Sequence, residues 1–355
     1  MICCKIIVWG DIMLYDIIKK MQLPKLKTRE EMLEILQREE YGFMPPKPES
    51  LTFEEENDVV LNFCAGKAVC NRITANVVVN GKEFSFPFYA VMPTENGKHP
   101  FCVHINFRGD LVDRYQPVEE IVDNGFALFS FDYKDITSDD NDMTNGFSGV
   151  LYPDGKRGPN DAGKIAMWAW AAQRVMDYAY TKGDLLDLEN CAVCGHSRLG
   201  KTALVTAATD ERFKFAYSNN SGNSGASIAR DNTGETIEVI SRVFPFWFCE
   251  NYRQYADNEY SMPFDQHYLL ASIAPRKVLV GSASEDAWAN PLGEMLSCVA
   301  ASDAFENGFK FENRPPEIDD CFFEGDIGYH MRKGLHYFSR KDWQRLMEFM
   351  KKHKN

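Results

Sequence analysis

Five short apolar runs limit what this chain can fold into: residues 101–107, 126–133, 190–194, 215–218 and 277–282. Each is rich in Val, Ile, Ala and Phe, and helix-compatible stretches separate them. Apolar residues at consecutive positions suit strands covered on both faces, as in a parallel sheet. Between them, residues 162–180 have helical spacing and length, and residues 291–305 read as a helix with Pro291 in its first turn. Strands alternating with helices predict a doubly wound α/β sheet. Upstream, residues 72–79 and 84–92 alternate apolar with polar around Asn80-Gly81. That pattern predicts an antiparallel β-hairpin with a type I′ turn at the leading edge of the sheet.

The first fifty residues read differently. Thr28-Arg-Glu-Glu31 is a capping box that opens a helix over 29–40, and Pro45-Pro46 prevents its continuation. We therefore expect residues 1–50 to form a helical extension packed on a single α/β domain of residues 51–355. Met1 to Tyr15 is apolar, but Asp11 and Asp16 interrupt it and no small-residue cleavage site follows. It reads as mature sequence, with the cytoplasm as the expected location, or the periplasm or exterior if a leader is missing. The longest apolar runs fall short of a membrane span. The net charge of −13 argues against a nucleic-acid or anionic-membrane partner, either of which needs a basic face. Ten scattered Cys do not make a disulfide framework. Cys191 and Cys194 have redox spacing, but they sit in an apolar run and read as buried, inert thiols.

Chemistry concentrates at Cys191-Ala-Val-Cys-Gly195-His-Ser197-Arg-Leu-Gly200-Lys201. An apolar strand ends in Gly-His-Ser and a helix-compatible run starts at once. A sharp strand-to-helix turn of this kind lifts a serine hydroxyl above the carboxyl edge of a sheet. The helix amino terminus favours developing negative charge, and the Arg198 backbone N–H is placed to donate to an oxyanion. Leu199 departs from the usual Gly-x-Ser-x-Gly pattern, with Gly200 one position late. Lys201 lies four residues after Ser197 and so shares its helix face. No metal-ligand spacing and no phosphate loop is present, and no cofactor is expected.

A serine nucleophile needs a base, and the base needs an acid to orient it. Four histidines follow Ser197. His353 lies in a Lys-rich tail where solvation is expected, and His267 opens a helical stretch as a structural residue. His330 and His336 both fall in what reads as a late loop, residues 325–336, before a last helix near 341–351. His336, in Gly-Leu-His, is the more exposed and the favoured base. For the acid, Glu285 and Asp286 both follow the strand at 277–282, and either could orient the imidazole or cap the next helix.

At this point the chain resembles a glucuronoyl esterase, family 15 of the carbohydrate esterases, of the bacterial type. The resemblance runs from about Arg157 to Trp343. It rests on Gly195 to Lys201, Asn220-Ser-Gly-Asn-Ser-Gly225, Gly234-Glu235, Met262 to His267, Ala274-Pro-Arg276, Glu285-Asp-Ala-Trp288 and Gly328-Tyr-His through His336. It implies an α/β-hydrolase, a three-layer αβα sandwich, acting as a serine esterase on the ester between (4-O-methyl-)glucuronic acid of glucuronoxylan and an alcohol. It also implies Ser197 as nucleophile, His336 as base, Arg198 as oxyanion ligand, and Lys201, Glu235 and Trp288 as sugar contacts. Fungal members place a Glu where this chain has Asn220, which carries no charge. Asp286 matches the acid position of other bacterial members, with Glu285 as the fallback. Two alternatives stand beside this reading: an acetyl-xylan or other small-acyl carbohydrate esterase on the same triad, and a catalytically weak carbohydrate-binding protein. A monomer or weak oligomer is expected.

Overall fold

The computed structural model describes residues 13–111 and 113–354. The segment 1–12, on which most of the leader reading falls, lies outside the described residues. Among the described residues ten strands form one sheet: β1 (Ser50–Glu56), β2 (Ala68–Val79), β3 (Lys82–Pro93), β4 (His99–Asn106), β5 (Ala127–Asp132), β6 (Leu186–His196), β7 (Phe215–Asn219), β8 (Lys277–Ala283), β9 (Cys321–Phe322) and β10 (Ile327–Arg332). Their spatial order is β1-β2-β3-β5-β4-β6-β7-β8-β10-β9. The stretch from β5 to β10 is parallel, whereas β1, β2, β3 and β9 run antiparallel to their neighbours. The expected hairpin is β2–β3. Asn80 and Gly81 have φ values of 53° and 69°, the doubly positive geometry of a type I′ turn.

The five apolar runs became β4 to β8 because both faces of the central sheet are covered. Phe101, Val103 and Ile105 of β4 point into one core with Ile165 and Trp168, while Cys102 points into the other with Ile121 and Leu346. The helices are α1 (Leu14–Met21), α2 (Arg29–Leu36), α3 (Val118–Asp123), α4 (Gly146–Leu151), α5 (Lys164–Thr181), α6 (Arg198–Thr209), α7 (Ile237–Val243), α8 (His267–Ala271), α9 (Pro291–Ala301) and α10 (Arg340–Lys352). Side chains of α5, α6, α8 and α9 line the first core, and those of α3 and α10 line the second. This is the three-layer α/β-hydrolase arrangement. Strand order reverses about β4, so the carboxyl ends of β4 and β6 flank the crevice where open α/β sheets bind ligands.

Two local readings change. The helix from Arg29 keeps its Thr28 capping box but passes at Gln37 into a π-helical turn, Gln37–Tyr41, which buries Glu40 and Tyr41. The stretch 325–336 is only partly a loop, because Ile327–Arg332 is β10, a buried strand parallel to β8. Its His and Arg hide the apolar signal; both are buried against polar partners, Tyr217 and Asp342.

Candidate active site

The turn between β6 and α6 is a single residue. Ser197 has φ 58° and ψ −128°, a strained conformation that persists only where the surroundings impose it. Its N–H donates to Asn219 O at 2.9 Å, and its carbonyl accepts from Gly200 and Lys201 at 2.8 and 3.1 Å. Gly195 makes the sharpness possible: a Cβ there would lie 2.2 Å from Leu199 O. The side chain of Leu199, which stands where a glycine is usual, is fully buried in the core below the turn. The close approach is thus accommodated at Gly195, and position 199 is left to pack. Ser197 stands at the start of a twelve-residue helix, whose dipole favours negative charge at this point.

His336 reaches the same rim from the loop after β10. Its Nδ1 donates to Oδ2 of Asp286 at 2.6 Å, and its ring centroid lies 4.3 Å from that of His196, the residue before Ser197. Among the described residues Asp286 is the side chain hydrogen-bonded to this ring, and it engages Nδ1 rather than Nε2. Asp286 also accepts from Asn220 Nδ2 at 2.8 Å and from Ala289 N at 3.2 Å. Burial acts to raise its carboxyl, but the hydrogen bond and charge of His336, with the Ala289 and Asn220 donors, outweigh it and hold the group below the ordinary carboxylate range. Glu285 is exposed, and the bond it contributes is from its backbone N–H to Gly334 O at 2.9 Å.

Arg332 fixes the loop that carries the imidazole. Its Nη2 donates to the carbonyls of Leu335 and Tyr337, at 3.1 and 2.5 Å, on either side of His336. Its Nε donates to Asp342 Oδ2 at 2.8 Å, and Asp342 in turn closes the capping box of α10.

The competing histidines have other duties. His330 is buried against Tyr217 OH at 2.9 Å, and burial pushes its imidazole down to about 3. His267 bonds Pro24 O at 2.9 Å, tying α8 to the amino-terminal segment. His353, expected in solvent, is half-buried and bonds Phe323 O at 2.8 Å. His196 donates from Nδ1 to Asn219 Oδ1 at 2.7 Å. Burial, aided by the charge of His336, pushes it down to about 3, so it is neutral at neutral pH. Cys191 and Cys194 are buried, and burial raises both thiols, so the pair has no thiolate character.

The Arg198 guanidinium lies over the Trp247 ring, 4.7 Å from its centroid, with Phe107 and Phe244 at 5.6 and 5.5 Å. Its Nη1 donates to Asp139 Oδ2. Lys201 is buried; its Nζ donates to Ser221 O, Asn223 O and Glu235 Oε2 at 2.8, 2.6 and 2.8 Å. Glu235 N donates to Trp288 O at 2.9 Å, and Gly234 admits that contact because a Cβ there would lie 2.3 Å from Trp288 O. The Trp288 side chain is 53% exposed at the rim. Behind these residues Glu294 is fully buried, accepting from Ser282 Oγ at 2.5 Å and Gly222 N at 3.1 Å.

A hydroxyl on a strained elbow, an imidazole oriented by a buried carboxylate, and a caged guanidinium therefore share one rim of the sheet. A family model described as glucuronyl esterase, fungi, matches residues 75–307. The chain belongs to the glucuronyl esterase family. It is similar to a carbohydrate esterase of an unknown prokaryotic organism, 39% identical over 69% of this chain and 57% of that protein. It also resembles a 4-O-methyl-glucuronoyl methylesterase of Podospora anserina, 28% identical over 73% of this chain and 51% of that protein. The chain thus spans little more than half the length of these curated relatives. A solved glucuronoyl esterase from Solibacter usitatus superposes with a TM-score of 0.83 at 30% identity, covering 93% of this chain and 92% of that one. Within this member of the family, Asp139, Trp247, Asn219 and Arg332 were not legible as candidate site residues. Trp247 sits in Phe-Pro-Phe-Trp-Phe, which reads as core; Asp139 and Asn219 lie in no motif, and Arg332 lies inside the Gly328 to His336 block without a local sign of its contacts. Among the described residues no helix is long and apolar enough to cross a membrane.

Proposed function

We propose that this glucuronyl esterase hydrolyses the ester between (4-O-methyl-)glucuronic acid of glucuronoxylan and an alcohol through an acyl-enzyme. His336 Nε2 takes the Ser197 proton as Oγ attacks the uronoyl carbonyl carbon. The carbonyl π electrons move to oxygen, and the Arg198 N–H and guanidinium hold the resulting charge. Collapse of this intermediate breaks the carbon–oxygen bond to the alcohol, which leaves with the proton from His336. Water then attacks the acyl-enzyme, giving its proton to His336, and the acid departs as Ser197 regains its proton. Asp286 keeps Nδ1 protonated and stabilises the imidazolium at each stage.

The observation that carries this reading is the 2.6 Å bond between His336 and Asp286, on a ring in contact with the residue preceding the elbow serine. The uronate specificity rests on the buried Lys201–Glu235 pair beside exposed Trp288: a carboxylate with spare acceptor capacity and an aromatic face suit sugar hydroxyls and a sugar ring, whereas an acetyl group needs neither. The test is turnover of benzyl glucuronate against 4-nitrophenyl acetate. Preference for the uronate ester, abolished by Ser197→Ala, is the expected result. Preference for the acetate would assign a small-acyl esterase, and failure of a serine-directed probe to label Ser197 would assign a binding protein.

A further inference from the structure

We propose that Asp139 is a positioning residue for Arg198, holding the guanidinium aimed at the oxyanion; this rests on the reading of Ser197 as nucleophile. The Asp139 carboxylate receives three donors from three parts of the chain. Trp247 Nε1 donates to Oδ1 at 2.7 Å, Tyr133 OH donates to Oδ2 at 2.7 Å, and Arg198 Nη1 donates to Oδ2. The indole that donates to Oδ1 is the same ring on which the guanidinium lies, and Phe244 stacks on that ring at 3.9 Å and 1°. The carboxylate therefore binds both the charge and the surface the charge rests on. Asp139, Trp247 and Arg198 thus each contact the other two.

Asp139 is itself anchored. It belongs to an irregular segment after β5 that wraps the ammonium of Lys164, the first residue of α5 and fully buried. Lys164 Nζ donates to Ser138 O, Ser138 Oγ and Asp142 O at 2.7, 3.0 and 2.8 Å. Asn145 closes the segment, accepting from Ser138 N at 3.1 Å and donating to Ser138 Oγ at 2.8 Å. The Asp139 side chain is 9% exposed and that of Arg198 25%, so the pair is shielded yet open on the substrate side. An arginine side chain loses most of its rotamer freedom when it is fixed, and a donor aimed in advance at developing charge needs no reorganisation during the reaction. Asp139 meets that requirement before substrate arrives, without touching the reacting atoms.

The test is a double-mutant cycle with benzyl glucuronate. Asp139→Ala should lower kcat by about 10- to 100-fold, no more than the roughly 100- to 1,000-fold cost of losing an oxyanion donor outright, and change KM by less than about threefold. In an Arg198→Ala background the same change should cost no more than about twofold. Equal losses in both backgrounds would make Asp139 a merely structural residue and overturn the proposal. Should Asp139→Ala fail to fold by circular dichroism, Asp139→Asn, whose amide oxygen still accepts from Trp247, takes its place in the same cycle. Absence of any wild-type turnover would overturn the esterase reading, and this role with it; wild-type turnover with additive losses overturns this role alone.

Discussion

The side-chain amide of Asn220 lies 2.8 Å from Asp286, on the same carboxylate oxygen that accepts the hydrogen bond from His336 Nδ1. A neutral donor and an imidazole thus converge on one buried charge, and the charge comes from β8 rather than from the end of β7. Asp286→Asn should lower kcat on benzyl glucuronate by about 10⁴-fold, the cost of leaving a catalytic imidazole in the wrong tautomer. Asn220→Ala removes one donor to a carboxylate that keeps two others, and should cost about tenfold or less. Glu285→Gln, at an exposed position, should leave kcat nearly unchanged. Steady-state kinetics on the three variants checks the ranking; a larger loss for Glu285→Gln than for Asp286→Asn would move the acid to residue 285.

Arg332 holds the carbonyls on both sides of His336 and neutralises buried Asp342. Arg332→Met leaves that carboxylate without its cation and should destabilise the fold by about 3–5 kcal/mol in urea denaturation. Arg332→Lys keeps the charge but cannot fork to two carbonyls. It should retain most of the stability while kcat falls about tenfold or more, since small misplacements of a catalytic group are costly.

Two buried carboxyls give the stability a pH slope. Burial pushes Glu40 and Glu294 up to about 8 from an ordinary 4.5, so both are protonated in the folded chain at neutral pH and ionised in the unfolded chain. Between those values the folded state binds more protons, so stability is fully present below pH 4.5 and is lost as pH rises towards 8. Each group contributes up to about 1 kcal/mol per pH unit. Glu294→Gln stays neutral at every pH, and its amide oxygen can still accept from Gly222 N. Its Tm should fall less between pH 5 and 8 than that of the wild type; equal slopes would mean that Glu294 is ionised in the fold.

Leu199→Gly would restore the usual elbow pattern, yet the structure predicts a loss. The side chain is fully buried, so its removal should cost about 2–5 kcal/mol by thermal or urea unfolding. Gly195→Ala, by contrast, should prevent correct folding of the turn, because its methyl group meets backbone that cannot move aside.

The parallel core was legible because burial on both faces writes itself into a strand as an unbroken apolar run. β10 was not: its His330 and Arg332 are buried through pairing with Tyr217 and Asp342, and pairing leaves no trace in local hydropathy. Ser197 announced itself through local geometry, a strand ending in Gly-His-Ser before a helix. His336 was favoured for its exposed Gly-Leu-His setting before the last helix, the strand end at 277–282 left Glu285 and Asp286 both open until the resemblance pointed to Asp286, and His330 competed until its burial showed it to be structural. Asp139 carries no such sign, since nothing near it in the chain indicates that Trp247 and Arg198 fold against it. Residues that act on other residues are the hardest to see before the chain is folded.

Cleaving a uronate ester replaces an uncharged group with an anion beside Arg198, and a bare cation there would retain its own product. One edge of this guanidinium already faces a counter-ion, the Asp139 carboxylate. The attraction left for the departing acid is correspondingly smaller, while the short-lived alkoxide still meets donors fixed in advance. On the proposed mechanism, the carboxylate that steadies this cation should therefore also ease release of the product acid.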